Sequence, residues 1–176
     1  MTKLLLSLHV LAAILAIGPI TVAASMFPRY AKPPAPDSEG AHDHDPRTAA
    51  FLHKICRGYT VVGVAVPVFG LATGAQLGVL TDYWLLASIV LTGIAAALLL
   101  MAILPGQQRL LDEPVDAGGG VDTATSSAGG TAVGTSKVEA QRSAAAKLAM
   151  TTGIFNLLWA TVTVLMIVRP GSTTGA

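Results

Sequence analysis

One histidine stands inside a long apolar run. His9 lies in LLLSLHVLAAILAIGPITVAASM, from Leu4 to Met26, a stretch with no charged residue. An ionisable side chain in hydrocarbon is costly, so it points to a function or to a partner on another helix. Neutral imidazole is an axial ligand of haem iron, and helical bundles hold cofactors between facing helices. Imidazole equally bonds a Ser, a Thr or a backbone carbonyl of a neighbouring helix, and the residues alone put that plainer use first. For a haem b on His9, a second ligand must come from the same end of the bundle, or be absent. Met166 is the sulfur at that level, and His–Met ligation is a known axial pair.

Other chemistry-bearing groups are sparse. His42-Asp43-His44-Asp45 carries zinc-type ligands, but four neighbours on one loop lack a closed, supported site, and a solvated loop is the simpler expectation. Cys56, between Lys54 and Arg57, has a cationic setting that favours thiolate; without a second thiol or a general base it reads as a small filler at the interface. Gly118-Gly119-Gly120 lacks the following GK[ST] and the preceding strand of a phosphate loop. No nucleophile–His–acid set is visible, and no Asp, Glu, Lys or Arg falls within an apolar run. Ion-coupled carriers usually place such groups at mid-membrane.

The elements that must position these groups are membrane helices. The chain has 176 residues, 52% hydrophobic and 12% charged. About 25% charged is usual for a soluble domain. Four runs are long enough to cross ~30 Å of hydrocarbon: about 4–26, 58–78, 83–104 and 148–168. This predicts an all-α, up-down, four-helix transmembrane bundle with two long loops, as a single integral membrane domain over 1–176. A cleaved signal peptide is the alternative for the first run, with Lys3 ahead of it and Val22-Ala23-Ala24 as a cutting site. Its length and the cations Arg29 and Lys32 behind it favour a retained helix. A net charge of +1 and 5% aromatics leave no basis for nucleic-acid binding.

Between the runs, prolines 28, 33, 34, 36 and 46 predict an irregular loop after residue 26. Asp45-Pro46 has the chemistry of a helix start, cap then first position. Val79–Asp82 is a short turn, which makes spans two and three antiparallel neighbours. Pro105-Gly106 is expected to end span three. The Gly/Ser/Thr/Ala-rich stretch at about 112–136 is expected to be disordered. Gly70, Gly74 and Gly78 recur every four residues, a small-residue stripe for close helix approach, within the chain, to a partner or in a homo-oligomer. Asn156 should bond across to another helix. Nine Lys and Arg (29, 32, 47, 54, 57, 109, 137, 142, 147) fall in the two long loops, against Lys3 and Arg169 at the other end. The positive-inside rule then puts both loops in the cytoplasm and both termini outside.

Leu8 to Gly18, LHVLAAILAIG, resembles the first helix of copper-resistance D-type membrane proteins. It is similar to the same segment of an uncharacterised family of bacterial four-helix "predicted integral membrane proteins". More distantly it resembles HemJ-type protoporphyrinogen oxidases, where a comparable His sits in a haem-binding bundle. The resemblance implies a multi-pass protein of a bacterial cell membrane, haem-associated through His9. The alternatives are a structural or accessory subunit of a membrane complex, or a small neutral-solute carrier.

Overall fold

The computed structural model describes the backbone of residues 2–33, 44–112 and 130–170, and the side chains of 3–33, 44–112 and 136–170. Residues 34–43, with His42 and Asp43, the glycines 118–120, most of the stretch expected to be disordered, and the 171–176 tail lie outside this description. Every regular element among the described residues is helical. In order they are α1 (Thr2–Ala31), α2 (Pro46–Gly63), α3 (Ala65–Leu77), α4 (Tyr83–Leu98), a π turn (Leu99–Ile103), α5 (Leu104–Asp112) and α6 (Gly130–Val168). Four helical stretches are long and apolar enough to cross a membrane: Lys3–Ala31, Pro46–Leu77, Tyr83–Asp112 and Ser136–Val168.

Each helix is longer than its apolar run, which corrects three expectations. α1 continues through Pro28 to Ala31, where a loop was expected. The reason is burial: Phe27 is 0% exposed and Ala31 is buried, so the last turn adds to the core. Span three does not stop at Pro105-Gly106. The π turn precedes the proline, and Leu104 N–H bonds Leu99 O in its wider register. The widened turn relieves the clash between the proline ring and the preceding carbonyls. α6 starts at Gly130, inside the stretch expected to be disordered. Once a helix is nucleated, each added residue gains a bond at little extra cost.

Other starts and stops follow local chemistry. Asp45 caps α2 by accepting from Arg47 N–H, and Pro46 opens the helix. The Thr48 hydroxyl, then the Arg47 amide, hold the Asp45 carboxyl below its ordinary value. Span two breaks at Val64, three residues before Pro67, which then falls in the first turn of α3, where its missing N–H costs nothing. Gly78 closes α3 at φ 69°, a left-handed cap. α6 ends where Arg169 turns to φ 44° ahead of Pro170. That turn brings its guanidinium over the Trp84 ring at 5.7 Å, tying the end of α6 to the start of α4.

Packing runs through narrow stripes. α1 buries Ala16, Ile20, Ala23, Ala24, Phe27 and Ala31, and α2 meets it with Ala49, Leu52 and Cys56. Small residues let the backbones approach closely. α6 buries Gln141, Ala145, Leu148, Thr152, Phe155 and Val162, a four–three spacing like a coiled-coil seam. α1 packs on α2, α3 and α6, and α4 packs on α6. Much of what remains faces outward: Leu4, Leu11, Ile14 and Leu15 are each more than half exposed.

The glycine stripe divides its work. A Cβ at Gly70 would stand 2.9 Å from His9 Cε1, and one at Gly74 would stand 2.9 Å from Leu85 Cδ2. Gly70 therefore admits α1, Gly74 admits α4, and Gly78 is the cap. Replacing Gly74 by Leu should overpack the α3–α4 corner by ~1–3 kcal/mol. A fall in melting temperature of several degrees in detergent is expected; an unchanged melt would mean the corner has room to spare.

Candidate functional site

His9 lies on the inward stripe of α1, half-buried, one turn before Ala12 and Ala13 and two before Ala16. Its Nδ1 is 2.9 Å from Val66 O on α3. A carbonyl only accepts, so Nδ1 carries the proton and donates. Val66 O is reachable because the residue one turn on is Gly70: any side chain there would stand where the imidazole stands. The carbonyl has two lone pairs, so it can serve the ring and its own helix together. His9 is thus the expected polar tie to a neighbouring backbone, made between spans one and two.

With Nδ1–H committed, Nε2 keeps a free lone pair, the tautomer in which ligating histidines are commonly held. The donor therefore fits a haem iron. The surroundings fit less well, because the Nδ1–Cε1–Nε2 edge of the ring packs against α3 at Gly70 and His9 lines neither the α5–α6 groove nor the apolar cavity beside Val64. Met166 is half-buried, two residues from the end of α6, and the ring's hydrogen bond goes to α3 instead.

A second polar cluster joins span two to span three near the long loops. His53 Nδ1 is 3.0 Å from Gln107 Oε1, and Gln107 Nε2 donates to Cys56 Sγ at 3.6 Å. Cys56 Sγ in turn lies 4.0 Å from Ile20 O on α1. Gln107 and Cys56 are both 0% exposed. Cys56 is therefore a small core filler, closed over by α1 and α5. Its thiol touches no base. Gln107 could not be singled out from sequence, since it follows Pro105-Gly106 in a segment read as loop. The π turn delivers it: the extra residue per turn keeps Ala95, Leu99, Ile103 and Gln107 on one buried line. His53 and Val66 are separated by about 20 Å of helical rise, so the two histidine sites sit at opposite ends of span two.

Asn156 Nδ2 donates to Ser25 Oγ at 3.0 Å, crossing from α6 to α1 as expected of a polar residue in a span. At the base of the first long loop, His44 Nδ1 donates to Lys32 O and Asp45 N–H to Tyr30 O. Arg142 Nε reaches Pro33 O from α6. Among the described residues no group of three His, Cys, Asp or Glu side chains is placed to hold a metal. An apolar cavity of about 110 Å³ lies between the spans beside the Val64 break, with Pro67, Thr92, Phe155 and Trp159 on its wall. Small-molecule sites commonly measure ~300–1,000 Å³, so this one is small for a carried solute.

Gln107→Ala should strand the His53 N–H and remove the only hydrogen-bond donor described for the Cys56 thiol, at a cost of ~1–3 kcal/mol. Thermal melts should show that loss, and His53→Ala in the Gln107→Ala background should add little. Full additivity would mean the two side chains act separately. Compared with protein-family models, curated proteins and solved structures, the chain matches none. Its function therefore has to be read from the contacts themselves.

Proposed function

We propose that this protein is a multi-pass protein of a bacterial cytoplasmic membrane, acting as a structural or accessory subunit of a membrane complex. The observation that carries this reading is the placement of His9: its N–H is spent on Val66 O and its ring on Gly70. Asn156 and Gln107 are used in the same way, Asn156 on Ser25 and Gln107 on His53 and Cys56. Three polar side chains spent on joining helices fit a scaffold. The outward apolar half of α1, with Leu4, Leu11, Ile14 and Leu15, is the face offered to lipid or to a partner helix.

The rival reading, haem association, is favoured by the free Nε2 of His9. The two readings separate in one experiment. Under the structural reading, protein purified in detergent from haem-replete cells shows no Soret band. His9→Ala and Gly70→Ala each lower the melting temperature, and the double variant falls no further than the worse single one. A stoichiometric Soret band that disappears in His9→Ala would overturn it.

The nine cations gathered at the long-loop end support a topology with both loops cytoplasmic and both termini outside. A reporter active only outside the membrane, fused after Ala176, should be active; placed within 117–136 it should be silent. The opposite pattern would invert the topology.

A further inference from the structure

The long-loop end carries a groove that the helix ties do not use. It lies between α5 and α6 and has a volume of about 350 Å³. Three cations line it, Arg109, Lys137 and Lys147, and no acid does. Asp112 on α5 and Glu139 on α6, the described acids nearest to it in sequence, are not on its wall.

Along its length the groove changes character in a fixed order. A Cβ at Gly106 would stand 3.1 Å from Leu148 Cδ1, which sets the register of α5 against α6. Ala102, Leu148 and Thr151 form the end towards the middle of the spans. Lys147 precedes Leu148 directly, and Arg109 is one turn beyond Gly106, about 4.5 Å further out. Lys137 stands about 15 Å beyond Lys147 along α6. Leu148 is also where the apolar part of α6 begins, so the change from apolar to cationic lining falls at the edge of the hydrocarbon. A free anion would use only the outer part. An amphiphile with an acyl chain and a phosphate uses both, in the order the groove presents them.

We propose that this groove binds an anionic phospholipid, with its phosphate between Arg109 and Lys147, its headgroup reaching towards Lys137, and an acyl chain on Ala102 and Leu148. Basic pockets between membrane helices are suited to such headgroups. The assignment rests on the membrane reading above, and not on which end faces the cytoplasm.

The test uses the full-length protein in neutral detergent, titrated with phosphatidylglycerol, with phosphatidylcholine of the same chains, and with inorganic phosphate. Binding is read by native mass spectrometry and by thermal shift. Phosphatidylglycerol should bind and raise the melting temperature, and the other two should not. The Arg109→Gln/Lys147→Gln pair should weaken phosphatidylglycerol binding about tenfold or more. Ala144→Phe, which keeps every cation but fills the exposed side of the groove, should weaken it similarly. Lys54→Gln/Arg57→Gln, at the same end but outside the groove, should leave it unchanged.

Equal binding of phosphatidylcholine would overturn the proposal, as would a full shift from phosphate alone, which would mark a free-anion site. An equal loss in the Lys54/Arg57 pair would reduce the effect to overall charge. Unimpaired binding in both groove variants would place the lipid elsewhere. Protein recovered without membranes or detergent would sink the membrane reading and the lipid site together.

Discussion

A peptide group in hydrocarbon has no water to bond, so each N–H and C=O must find its partner inside the protein. For the multi-pass protein proposed above, the fold is a set of answers to that constraint. The described elements are all helices, which pair their backbone groups within themselves. Where the helical ladder is disturbed, the disturbance is handled locally. Pro67 falls in the first turn after the Val64 break, and Pro105 follows a π turn. The same constraint governs side chains. His9, Asn156 and Gln107 are tolerated within the spans because Val66 O, Ser25 and the His53–Cys56 pair receive them.

Those ties need close approach, and small residues provide it. Apolar side chains gain little by leaving lipid for each other, so contact area and hydrogen bonds must hold the spans together. α1 is the centre of this arrangement. Its alanines at 16, 23, 24 and 31 are buried, and it meets spans two and four. Gly70 is the clearest case of small size used for a polar purpose. Its lack of a side chain uncovers the Val66 carbonyl, and His9 takes the space. Packing and hydrogen bonding are here one contact.

The two ends of the molecule differ in chemistry. At the short-turn end, charge is scarce: Arg169 rests on Trp84, and Asp82 Oδ2 accepts from the Trp84 indole at 3.1 Å. At the long-loop end the cations accumulate, some bonded back to the chain, as Arg142 is to Pro33 O, and others lining the α5–α6 groove. The scaffold role proposed above would account for the ties between the long helices. The groove adds a surface whose charge and apolarity match a lipid, the solvent in which such a scaffold would sit.

The sequence by itself determined four helices apolar enough to cross a membrane, the start of α2 at Asp45-Pro46, the turn between the second and third of them, and the cross-helix role of Asn156. Those features depend on composition and on neighbours in the chain, and lipid permits few alternatives to an apolar helix. Tertiary structure decided which face of each helix is inside. α1 is apolar all round, so no periodicity marks the stripe on which His9 lies; it emerges only against α3 and Gly70. Tertiary structure also carried the helices past Pro28 and Pro105, because burying Ala31 and Leu110 offsets turns that local propensity disfavours. Gln107 and Ser25 were illegible for the same reason. A polar residue becomes a site through the partner facing it, and that partner is set by how distant segments pack, which no local pattern records.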